Sequence, residues 1–112
     1  MNKVDVLQKL FQARDALTKI IIHTMPAPGD QAGADALEQL IQNRDHLTHA
    51  IAQTIQAEIK ASGDQVAQAV AQLADLNKQL QSLAASIDSA KTGIAITAQV
   101  LNVLAQVLGA VL

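Results

Sequence analysis

Apolar residues recur at three- and four-residue steps along most of this chain, the spacing that lines up one face of an α-helix. Leu7, Leu10, Leu17 and Ile21 share such a face and predict a helix over about residues 3–25. The stretch MPAPGDQAGA (25–34) interrupts it. Pro26 and Pro28 hold their predecessors out of the α region, and Gly29 and Gly33 accept unusual backbone angles. A second helix is expected over about 35–61, with Asp35 as its N-cap and Glu38 three residues on, a variant of the capping box. Ser62-Gly63-Asp64 then offers a glycine for its end and an aspartate for the next start. So short a junction turns the third helix back antiparallel to the second.

Beyond Gly63 the sequence has no proline, and the pattern becomes a heptad. Val66, Ala69, Leu73, Leu76, Leu80, Leu83, Ile87, Ala90, Ile94, Thr97, Leu101, Leu104, Leu108 and Val111 alternate steps of three and four. An unbroken run of this kind predicts one helix over 64–112 with a coiled-coil-like seam, kinked at most at Gly93 at a propensity cost of about 1 kcal/mol. Charged residues stop at Lys91, so the segment 92–112 carries none.

The first two helices read as copies of one unit. Asp5 to Met25 and Asp35 to Ile55 align with ten of twenty-one positions identical, and six of these lie on one seam: Leu7/Leu37, Leu10/Leu40, Arg14/Arg44, Leu17/Leu47, Ile21/Ile51 and Thr24/Thr54. Two copies make a hairpin and fall short of a solenoid. Folding that hairpin about its loop sets Leu7 against Ile51, Leu10 against Leu47, Leu17 against Leu40 and Ile21 against Leu37. Arg14 and Arg44 then meet in the central layer. Asp45 comes level with Arg14 and Asp15 with Arg44, which predicts two reciprocal Arg-Asp pairs that fix the register, since a slipped hairpin leaves a charge unpaired. The alternative is an anion site gripped by both guanidiniums. The neighbouring aspartates argue against it by occupying the same donors.

Composition removes most chemistry from consideration. The chain has 112 residues, half of them apolar, with Phe11 as its one aromatic ring. A Leu/Ile/Val/Ala core of this size fits one domain of packed helices and not a β-sandwich. A formal charge of -2 gives no basic stripe for nucleic acid, and the absence of cysteine excludes disulfides and thiolate metal sites. His46 and His49 lie at i, i+3 but lack a matching carboxylate, and the repeat replaces them with Ala16 and Lys19, as expected of outward positions. His23 stands near the loop with no more company. Ser62, Ser82, Ser86 and Ser89 have no nearby histidine, and no phosphate loop or nucleophile elbow is present. No catalytic, cofactor-binding or metal-ligating residue is therefore assigned, and a non-enzymatic protein is expected. The opening MNKVDVLQKLF places Asp5 and Lys9 among its apolar residues, unlike a signal peptide, so cytoplasmic residence is the default.

The expected architecture is all-α: an antiparallel hairpin of two repeats plus a long third helix, bundle-like and completed by oligomerisation. A helix over 64–112 would run roughly 70 Å, against about 40 Å for the second. Everything past Lys91 would overhang. Its apolar face includes Ile94, Val100, Leu101, Leu104, Val107, Leu108 and Val111, and such a patch marks a partner or a membrane. Self-association into a dimer or tetramer is the first expectation, making the chain an interaction or scaffolding module. The alternative is insertion of 92–112 as a tail anchor or membrane-active helix, opposed by Gln99, Asn102 and Gln106 in mid-span. A third arrangement, with a break at Lys91 to Gly93 and the tail folded back as a fourth helix, ranks below both because no Pro or Asp-Gly turn assists it.

Overall fold

The computed structural model describes residues 3–84 and 86–109. Among them are four α-helices and no strand: α1 (Lys3–His23), α2 (Gln31–Gln56), α3 (Gly63–Gln81) and α4 (Ile87–Leu108). The all-helical, bundle-like expectation holds, whereas the single third helix over 64–112 does not. The chain breaks after Gln81, and Ser86 opens α4 as an N-cap whose side chain accepts from Ser89 N at 3.1 Å. Energetics decide this break. Left straight, α4 would present Ile96, Val100, Val103, Leu104, Val107 and Leu108 to water, whereas folded back it buries all six. That burial is worth roughly 9 to 18 kcal/mol. Interrupting the helix forfeits about four backbone hydrogen bonds at about 1 kcal/mol each.

Caps differ from the expected ones as well. Asp30, not Asp35, starts α2, its carboxylate accepting from Gly33 N at 2.9 Å. A Cβ at Gly33 would collide with that carboxylate, so the glycine is what lets the cap close. Asp35 instead accepts from the Gln31 amide at 2.8 Å. α2 ends at Gln56 and not near Ala61, and Ser62, not Asp64, opens α3 with a full capping box to Gln65.

Four local contacts fix the topology. Lys3 Nζ donates to Ile55 O at 3.1 Å, which places the start of α1 beside the end of α2. Asn77 of α3 reaches Lys9 O of α1, and farther along both helices Ile20 and His23 share a groove with Leu80 and Leu83, so α1 and α3 run parallel. Gln65 and Gln68 near the start of α3 flank Gln106 and Val107 near the end of α4, so that pair is antiparallel. By the same directions α2 and α4 are parallel. Two helical hairpins thus lie on each other, α1 on α3 and α2 on α4, with α1 and α4 also in contact through the middle.

α3 runs opposite to α2, as the short junction requires, but does not touch it. The connector 57–62 crosses the bundle end between them. Its six residues reach about 20 Å extended, sufficient for a diagonal of roughly 17 Å between helices packed 8 to 10 Å apart. α1 and α4 each touch all three other helices, which is why α4 buries a face wider than a heptad seam: Ala90, Gly93, Ile96, Thr97, Val100, Val103, Leu104, Val107 and Leu108. Gly93 is buried within that face. A Cβ there would stand 3.3 Å from Leu40 Cδ1 and 3.7 Å from Leu17 Cδ2. The glycine therefore serves close approach of α4 to the α1/α2 hairpin, within a helix that runs through it from Ile87 to Leu108.

Candidate interaction surfaces

The twin phrases RDALT and RDHLT share one local hydrogen bond. Thr18 donates to Arg14 O at 2.9 Å and Thr48 to Arg44 O at 3.0 Å. Leu10, Leu17, Leu40 and Leu47 are all fully buried, and Leu17 and Leu40 meet at Gly93, in the layer expected of them. The reciprocal Arg14-Asp45 and Arg44-Asp15 pairs are nevertheless absent. Arg44 approaches its own neighbour Asp45 at 3.7 Å, with the two side chains 28 % and 69 % exposed, a loose contact of little energetic weight. The guanidinium of Arg14 lies over the Phe11 ring, 4.9 Å from its centroid. Helix geometry explains the failure. Consecutive residues sit about 100° apart, so an arginine directed along the α1/α2 seam carries the next aspartate away from it.

Asp15 consequently faces α3. It lines, with Gln12, Lys19, His23 and Gln81, an open groove of about 400 Å³ whose apolar floor includes Ala16, Ile20, Leu80 and Leu83. His23 Nδ1 is 2.8 Å from Lys19 O, so the ring on that side is tied to its own helix. Asn77 is buried between α1 and α3, behind Gln12 of that lining. It donates from Nδ2 to Lys9 O at 3.0 Å and to Gln12 Oε1 at 3.4 Å, while its Oδ1 has no partner among the described residues. His46 and His49 are exposed on α2, and the described residues contain no group of three potential metal ligands.

The residues expected to form an assembly or membrane face are largely committed to the chain's own core. Val100, Leu104, Val107 and Leu108 are buried and Ile94 and Leu101 half-buried, while Val111 lies outside the described residues. The overhang that gave this face its role does not exist. Large apolar side chains are instead exposed on α1 and at its ends: Val4 at 68 %, Phe11 at 38 %, Ile22 at 66 % and Met25 at 87 %. Val4, Phe11 and Ile22 fall within about 20° of one line along the outer surface of α1, with Asp15 beside it. Ile55 at the end of α2 is exposed too. The seven-residue step from Val4 to Phe11 was available in the sequence but was masked by the stronger seam of Leu10 and Leu17. Asn77 was likewise discoverable, since it stands four residues after Leu73 and three before Leu80 on a buried face.

The molecule defined by these features is a bundle-like all-α protein with a polar groove on one side of α1 and an apolar line along its outer face. No protein-family model, curated protein or solved structure matches the chain.

Proposed function

We propose that the chain is a non-enzymatic helical interaction module that acts by self-association. The observation that supports this is the outer line of α1. Val4 and Ile22, each about two-thirds exposed, stand where the aligned positions of α2 carry Ala34 and Ala52, which are exposed as well. A solvated face has no need of Val and Ile in one copy of a repeat and Ala in the other, whereas a face that meets protein does. The interface moves accordingly from α4 to α1, with the half-buried Ile94 and Leu101 left as minor contributors on α4. The test is the mass of the full chain in detergent-free buffer by sedimentation equilibrium across micromolar to millimolar concentration. Concentration-dependent oligomers are expected, and a monomer throughout the range sinks the proposal.

A second reading keeps α4 as a membrane element, because it is the one described helix long and apolar enough to span a bilayer. Of its most apolar window 44 % is buried in the bundle, so insertion would require α4 to leave Leu17 and Leu40. Flotation with phosphatidylcholine/phosphatidylglycerol vesicles separates the readings: recovery of the protein with the vesicles supports insertion, and its retention in the aqueous fraction supports the module.

A further inference from the structure

We infer that the self-associating surface is α1 itself, paired in parallel and in register with α1 of a second copy about a twofold axis along the helices. This rests on the self-association proposed above and names its partner and geometry. The charges that flank the outer line of α1 carry the inference. Among the described residues Arg14 has no carboxylate partner and is held over Phe11, on the edge of the apolar line, while Asp15 has no cationic partner and lies on the side facing α3. The two flank the line on opposite sides, one residue apart along the axis.

Only a parallel pairing of two identical helices joins Arg14 of one copy to Asp15 of the other. In an antiparallel pair the twofold brings the same side of each helix together, so Arg14 and Asp15, on opposite sides, never meet; centred on these residues, Arg14 faces the second copy's Arg14 and Asp15 its Asp15. In a parallel pair the twofold exchanges sides, and each Arg14 meets the other copy's Asp15. The contact is isologous, with each ion pair formed twice. The apolar members then meet their own counterparts, Val4 with Val4, Phe11 with Phe11 and Ile22 with Ile22, with the Thr18 methyl between the last two. From Val4 to Ile22 the line runs about 27 Å, the greater part of α1. The reciprocal Arg-Asp clamp expected inside one chain is thereby completed between two.

The native chain has no cysteine, which allows a direct test. Single variants Ile22→Cys and, on the outer face of α4, Ala98→Cys are oxidised under mild conditions at a concentration where the native chain is oligomeric. The parallel register predicts ready disulfide-linked dimers for Ile22→Cys and none for Ala98→Cys. An antiparallel pair centred on Arg14 and Asp15 would hold the two thiols introduced by Ile22→Cys about 22 Å apart. In parallel, Arg14→Asp or Asp15→Arg alone places like charges together twice and raises the dimer dissociation constant about tenfold or more, and the double swap Arg14→Asp/Asp15→Arg brings it back toward the native value. An oligomer that crosslinks through Ala98→Cys and not Ile22→Cys, or a double swap no better than the singles, overturns the α1 interface while leaving self-association intact. A chain monomeric at every concentration overturns both.

Discussion

Replacing Asn77 by Leu isolates the one buried side chain in α3 that is polar. The two residues have the same branching, with three heavy atoms beyond Cβ, so packing changes little. Asn77 is 3 % exposed, and its gain is one sound hydrogen bond from Nδ2 to Lys9 O at 3.0 Å plus a long one to Gln12 at 3.4 Å. Losing these costs about 1 to 1.5 kcal/mol, and Lys9 O keeps its helical donor. Against that, Asn77 Oδ1 is buried with no partner among the described residues, and removing an orphaned acceptor recovers about 1 to 3 kcal/mol. Two methyl groups in a site bordered by Leu73, Leu76 and Leu80 add about 1 kcal/mol more of apolar burial. The expected net is a stabilisation of about 1 to 2 kcal/mol, which raises Tm by on the order of 5 to 10 °C for a chain of this size. Thermal unfolding by circular dichroism at 222 nm reads it directly. A loss of stability greater than about 1 kcal/mol would refute the reasoning, because Oδ1 would then have to be satisfied in the folded protein. Asn77→Asp separates the two halves of the account. It keeps the shape, substitutes an acceptor for the donor facing Lys9 O and buries an unpaired charge, so it should cost several kcal/mol at neutral pH.

Three further outcomes are expected. Gly93→Leu forces side-chain atoms into the space held by Leu40 and Leu17 and should destabilise by about 3 kcal/mol, with Leu40→Ala in the same chain restoring part of the loss in a double-mutant cycle; Gly93→Ala, where about 1 kcal/mol of helix propensity opposes the 3.3 Å contact, should be near neutral. Asp30→Ala removes the α2 cap and should cost about 1 kcal/mol by urea denaturation, whereas Asp35→Ala should cost nearly nothing. Truncation after Ala90 strips the cover from Leu17 and Leu40 and should abolish cooperative unfolding; a truncated chain with native Tm would mean that α4 is no part of the core.

The helices were legible in the sequence because periodicity reports burial, and burial is what makes these helices. The turn between α3 and α4 was not, for a physical reason. Leu83 within it and Ile87 just past it are half-buried, so they hold the heptad phase that a straight helix would show. The usual punctuation of Gly and Pro is missing, and the turn relies on Ser82 and Ser86, which bond to Gln79 O and Ser89 N. Serine is common enough on helix surfaces that two of them around a leucine carry little signal. The better clue was energetic: an uncharged run of twenty-one residues is costly to leave in water when a return turn of a few residues buries the apolar face of α4.

The sequence identity between α1 and α2 was legible too, but its consequence for the charged residues was not, because identity at aligned positions does not imply identical surroundings. α1 touches three helices and α2 two. Where the aligned positions differ on the inner side, the difference follows that count: Ala13 and Ala16 are buried, Ala16 beside Leu80 of α3, while the aligned Asn43 and His46 of α2 are half-buried and exposed. On the outer side the trend reverses. Positions 4, 22, 34 and 52 are all exposed in the single chain, so its own packing places no demand on them, and yet α1 has Val and Ile where α2 has Ala. Packing within one chain accounts for the first divergence and leaves the second without a cause. The proposed second copy along α1 would supply one, together with the partners that Arg14 and Asp15 lack among the described residues.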